Sequence, residues 1–217
     1  MKFSKALLLH NPNAGNREIQ FLRLNFALNV LRLSGLDVVL DSTGKPGYSS
    51  RFPDRDLLII YGGDGTLHHL LPEAVDWQIP VLVLPGGTAN VLVQELHMPY
   101  FLLEDLMVLQ HCEVRKMYLG AACGRPFHLM ASAGIDGHII SNVPANLKKY
   151  LGVLAFGVTA ITKGPEYQMR PFRIESNEFT GQVTMAVISN SSSYGKFFKI
   201  APRADRKSTR LNSSHVS

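Results

Sequence analysis

Three short segments carry residue types that suit phosphate chemistry. Gly62-Gly63-Asp64-Gly65-Thr66 offers main-chain amides with no Cβ in front of them, so phosphate oxygens can come close. Asp64 repels a bare phosphate. It fits such a loop either by holding a cation such as Mg2+ against the phosphates or by accepting a proton from an attacking hydroxyl. Pro85-Gly86-Gly87-Thr88-Ala89-Asn90 repeats the arrangement. Gly86 and Gly87 open the backbone, Thr88 adds a hydroxyl, and a helix expected to start there aims its amide dipole at the loop. Asn11-Pro12-Asn13-Ala14-Gly15 is the third such segment. Each alone is a common turn; together, on one edge of a sheet, they point to a bound ligand.

The elements that must position these loops are legible from apolar runs. Lys5 to His10, Val38 to Leu40, Leu57 to Tyr61 and Val81 to Leu84 read as short buried strands. Between them, Arg17 to Leu33 has apolar residues at helical spacing, Ile19, Leu22, Phe26 and Val30, and Gly35 as its end. Leu67 to Val75 reads as a helix with a kink at Pro72, and Val91 to Leu96 and Leu102 to Leu109 read as further helices. Thr43 to Arg55 reads as a loop. Strands that are unbroken apolar runs, alternating with helices, predict an α/β fold with a parallel sheet covered on both faces. Ligands then sit at the carboxyl ends of the strands, where all three loops fall.

After about residue 113 the rhythm changes. Met117 to Ala121, Phe127 to Ala131, Phe172 to Glu175, Gln182 to Ser189 and Phe197 to Ile200 are short β-like runs, interrupted by one clear helix, Leu147 to Ile161. The expected organisation is a nucleotide-binding α/β domain over 1–113 and a β-rich domain over 114–204.

Composition narrows the function classes. Of 217 residues, 46% are apolar and 18% charged, which is a globular balance rather than a disordered one. The net charge of +5 favours anionic partners but is too mild to indicate a nucleic-acid protein. Cys112 and Cys123 make neither a disulfide framework nor a metal-ligand spacing and read as reduced thiols. The most apolar stretch, Tyr150 to Ile161, is about half of what a bilayer span needs. His68 and His69, with no second pair at ligand spacing, read as helix-surface residues.

The three loops, taken with Ser132-Ala133-Gly134-Ile135-Asp136-Gly137, Leu147 to Gly152 and Gly195 to Ala204, resemble the signature of the diacylglycerol kinase catalytic domain family. That family includes bacterial diacylglycerol kinases, related lipid kinases and sphingosine kinases. The resemblance runs from Leu7 to Ala204. It implies transfer of the γ-phosphoryl group of ATP to a lipid hydroxyl with Mg2+, the nucleotide lying between an α/β domain and a β-sandwich-like domain. By resemblance, Asn11, Gly15, Gly62, Gly63, Gly65, Thr66, Gly87, Thr88 and Asn90 fall at nucleotide-site positions, and Lys149 or its neighbour Lys148 falls near the phosphates. Asp64 matches the acid of the catalytic centre, with Mg2+ as its metal, and Asp136 matches the acid that faces the acceptor hydroxyl. The implied partners are a lipid alcohol, the inner surface of a membrane reached from the cytoplasm, and a second copy of the chain; no nucleic acid is implied. Two other readings are an NAD-kinase-like enzyme, since GGDGT also occurs there, and a non-catalytic nucleotide-binding fragment.

The chain departs from the family pattern in several places. Many relatives have Glu where His69 stands, and an imidazole does not replace a carboxylate as a Mg2+ ligand. The segment Thr43 to Asp56 is shorter than usual. Relatives continue past the Ala-Pro-x-Ala segment with further strands and a late acid, so the β-rich domain is expected to be incomplete. Asp205 to His215, Asp-Arg-Lys-Ser-Thr-Arg-Leu-Asn-Ser-Ser-His, is the translation of a common sequencing adapter, and 205–217 is expected to be a scar. That tail holds three basic residues and one acidic residue, so without it the net charge falls from +5 to +3.

Overall fold

A computed structural model describes residues 3–12, 17–43, 54–87, 89–98, 113–144, 146–147, 154–176, 179–194, 198–199 and 201. The expected helix at Leu102 to Leu109, most of the loop from Thr43 to Arg55 and the tail 205–217 lie outside those residues. The chain divides into two compact units, Met1–Lys116 and Met117–Ser217.

The first unit is built on strands β1 (Lys5–His10), β2 (Asp37–Ser42), β3 (Leu57–Gly62) and β4 (Val81–Pro85). They form one sheet in the order β2-β1-β3-β4, all parallel. Leu7, Leu8 and Leu9 of β1 and Leu58, Ile59 and Ile60 of β3 are fully buried in succession. A strand buried on consecutive residues is covered on both faces, as its unbroken apolar run requires. Helix α1 (Arg17–Leu33) covers one face, where Leu24, Ala27, Leu28 and Leu31 join Ala6, Leu8, Leu57, Ile59 and Leu84 in the core. Helix α2 (Asp64–Trp77) lies against β3 and buries Leu67, Leu70, Leu71 and Ala74. Helix α3 (Val91–Glu95) follows β4.

Helix α1 forms over the expected residues, but the spaced apolar positions are not its buried face. Ile19, Leu22 and Phe26 are exposed, Leu22 by 69%, while Val30 is partly buried against the core. The helix carries two apolar stripes on opposite sides. Periodicity alone finds a stripe but not which one the sheet takes. Helix α2 also differs: it begins at Asp64, three residues earlier than expected, and continues through Pro72 as a single element.

The second unit contains antiparallel pairs. Strands β5 (Gly120–Ala122) and β6 (Arg125–Phe127) form a hairpin whose turn residues, Cys123 and Gly124, both have positive φ. Strand β7 (Met130–Gly134) leads into helix α4 (Ile135–Ser141), followed by helix α5 (Leu154–Lys163). Strands β8 (Phe172–Glu175) and β9 (Thr180–Val183) pair, β10 (Met185–Ser189) pairs with β7, and β11 (Ser193–Tyr194) pairs with β12 (Phe198–Lys199). Helix α4 was not expected from the sequence. The helix expected over Leu147 to Ile161 is described at Leu147 and again from Leu154, and its middle lies outside the described residues.

Candidate functional site

The register of the first sheet brings its carboxyl-end loops to one edge. His10 is level with Ser42 and with Tyr61, and Tyr61 is level with Leu84. Asn11, Gly63 and Gly86 therefore leave the sheet side by side. Asn11 is partly exposed there; Gly15 lies outside the described residues.

The two glycine-rich loops touch backbone to backbone. Gly86 N–H donates to the Gly62 carbonyl at 2.9 Å. A Cβ on Gly63 would lie 2.8 Å from the Gly87 Cα, and a Cβ on Gly87 would overlap the Gly63 Cα. A Cβ on Gly62 would strike the Thr66 side chain. Gly63 and Gly87 are there so that the loops can approach one another, and Gly62 makes room for Thr66, reasons different from access for phosphate. Gly65 is the exception. It sits in the exposed first turn of α2, nothing lies within 4 Å of where its Cβ would be, and packing does not require glycine there.

Asn90 and Asp64 lock this arrangement. The Asn90 side chain holds Gly87 from both sides: Oδ1 accepts from Gly87 N–H at 3.0 Å and Nδ2 donates to the Gly87 carbonyl at 2.9 Å. Asn90 itself is buried and left-handed, with φ 47°. The Asp64 carboxylate reaches across to α3, where Oδ2 accepts from Val91 N–H at 2.9 Å and Oδ1 from Leu92 N–H at 3.2 Å. The expectation that the start of α3 offers its dipole to a ligand is thus revised, because Asp64 already occupies those amides. Helix α2 is different: its N-cap is Gly63, which has no side chain with which to cap it. Thr66 is buried over Gly62, and its N–H donates to the Gly63 carbonyl. Thr88 lies outside the described residues.

Two further residues at this edge escaped the sequence reading. Gln20 Nε2 donates to the Gly86 carbonyl at 3.3 Å. Tyr61 is 2% exposed and its phenolic oxygen has no hydrogen-bond partner among the described residues. Burial pushes the phenol above its ordinary value of 10.0, against the opposing pull of Arg23. The signal available for Tyr61 was its place as the last side chain of β3 before Gly62-Gly63.

In the second unit, Asp136 is 4% exposed and occupies the first turn of α4. Gly134 makes the sharp exit from β7 with φ 101°, and a Cβ there would run into the Thr184 carbonyl oxygen. Lys148 and Lys149 lie outside the described residues. His69, the departure from the family pattern, is exposed on α2.

The model of the diacylglycerol kinase catalytic domain matches residues 5–122, just over half of the chain. The chain belongs to this family. Family members are similar across most of its length. Diacylglycerol kinases of Staphylococcus aureus strains JH9 and bovine RF122 are each 28% identical over 92% of this chain. The chain spans 66% of the length of these relatives. A crystal structure of a diacylglycerol kinase from Bacillus anthracis str. Sterne is 21% identical, with a TM-score of 0.72 over 95% of this chain and 71% of that one. That likeness is one of fold: a four-stranded parallel α/β sheet followed by small antiparallel strands.

A nucleotide and Mg2+ are the groups that membership of this family raises. The edge fits phosphate, because Gly65 is open at the start of α2, whose N-cap Gly63 supplies no capping side chain. The residues offer no all-protein cage for Mg2+: among the described residues no three of His, Cys, Asp and Glu cluster, and each Asp64 oxygen already accepts an amide of α3. No helix among the described residues is long and apolar enough to cross a membrane.

Proposed function

We propose that this chain carries the phosphoryl-transfer core of an ATP-dependent lipid kinase whose acceptor is a lipid alcohol such as diacylglycerol. The observation that supports it most is the family match over residues 5–122, which takes in both loops that the sheet edge holds together. The start of α2 receives the phosphates, with Gly65 as the point of closest approach. Asn11, Thr66 and the Asn90-held turn at Gly87 complete that edge, and Thr88 and Lys149 match family positions near the phosphates. The acceptor oxygen attacks the γ-phosphorus, its bond to the ADP oxygen breaks, and the hydroxyl proton passes to a carboxylate. Asp136, buried in the second unit, takes that role in this reading. Such a reaction needs positioning and charge neutralisation more than covalent chemistry from the protein. A Mg2+ ion carried by the nucleotide would neutralise charge on its phosphates. The lipid substrate brings the protein to a membrane surface.

Incubation with ATP labelled on the γ-phosphate, with diacylglycerol vesicles in one arm and NAD in the other, tests the reading. Label is expected in the lipid, and Asp136→Asn is expected to lower its rate by about a hundredfold or more. Label in NAD and none in lipid would overturn it in favour of the NAD-kinase-like alternative.

A further inference from the structure

We propose that Asp64 is a positioning residue, the strut that fixes the start of α3 against the GGDGT loop. The inference rests on the kinase reading only for what the strut is for; the strut itself stands on the geometry. Helix α3 begins Val91-Leu92-Val93 and leaves amides with no partner inside the helix. The residue before it, Asn90, is of the type that ordinarily caps such an end. Here it does not: Asn90 is left-handed, makes no cap bond and spends its amide on both polar groups of Gly87. Asp64, twenty-seven residues earlier, supplies both acceptors instead, one oxygen to Val91 and the other to Leu92.

The arrangement is chemically matched. A carboxylate on two amides at a helix start forms charge-assisted hydrogen bonds, and its charge faces the positive end of the helix dipole. Each oxygen accepts one amide and keeps a second lone pair, so the strut stands whether or not a cation is near. Asp64 also stands in the first turn of α2, so one side chain ties the starts of two helices. It cancels the positive end of α3 and leaves the start of α2 as the place for anionic phosphate. On this account, the aspartate of the GGDGT loop sets the distance between two loops that contact the nucleotide.

Hydrogen exchange of the Val91 and Leu92 amides, read by NMR, tests the strut. Asp64→Asn keeps one acceptor oxygen but turns an NH2 group towards the other amide. Exchange at these two amides is expected to quicken by about tenfold or more. ATP affinity is expected to fall by the same factor in Mg2+ and in EDTA. Unchanged exchange, or a loss of ATP affinity seen only with Mg2+, would overturn the inference. Should the variant not fold, titration of MgCl2 into the wild-type chain decides. The Val91 and Leu92 amide signals are expected to stay in place, and their displacement would refute the strut. Failure of the wild-type chain to bind ATP would count against the kinase reading alone, because the exchange measurement needs no nucleotide.

Discussion

The two units of this chain use strands in opposite ways. In the first, β1 and β3 are buried on consecutive residues and helices cover the sheet. In the second, β8 and β9 alternate between half-buried and exposed positions, with Phe172 and Ile174 turned one way and Arg173 and Glu175 the other. Among the described residues, the buried apolar side chains of the second unit are Phe127, Ala155 and Ala201; all the others belong to the first. A parallel sheet must be enclosed to exist at all, so its stability is concentrated in one core. Antiparallel pairs can leave one face in water, so theirs is spread over turns and edges.

The contrast is broken most strongly by removing a core side chain. Leu8→Ala deletes a fully buried residue at the centre of the parallel sheet. It is expected to cost about 2–5 kcal/mol. Urea unfolding followed by Trp77 fluorescence reports it, since the single tryptophan closes α2. A loss below 1 kcal/mol would refute the picture of one enclosed core.

A backbone change is the corresponding test in the second unit. Gly134→Ala places a Cβ against the Thr184 carbonyl at a left-handed position. About 1–3 kcal/mol should be lost. Faster hydrogen exchange across the β7–β10 ladder, with Trp77 fluorescence unmoved, is the expected signature; unchanged exchange would show that the turn can relax.

The smallest effect is a pH dependence at the start of β1. Burial alone would raise the Asp56 carboxyl, but bonds from Ser4 N–H, Lys5 N–H and the Ser4 hydroxyl outweigh it and hold the group below its ordinary value of 3.8. A carboxyl lowered in the folded state stabilises it above the unfolded value, and that contribution is lost as pH falls through the folded one. Stability should therefore decline below about pH 4, and Asp56→Asn should remove that part of the decline. An unaltered acid limb in the variant would assign it to other carboxylates.

Much of the first unit was legible in the sequence because an enclosed strand writes itself as a short run of Leu and Ile. The sheet edge and its loops followed from that. The direction of α1 was not legible, since Ile19, Leu22 and Phe26 have the spacing of a buried face yet look outward. Helix α4 hid behind Gly134 and Gly137, residues that argue against a helix until the turn from β7 is seen. The tie from Asp64 to Val91 and Leu92 was invisible for a plainer reason. It joins positions far apart in the chain, and the local rule for caps points to Asn90.

Gly63 and Gly87 meet with nothing between them, and Asp64 and Asn90 brace the contact on either side. Two loops so joined share a single degree of freedom. Neither can swing away to admit a ligand while the other stays behind. A side chain added to either glycine would meet the other loop, so an engineer who wishes to widen the edge must alter both loops at once.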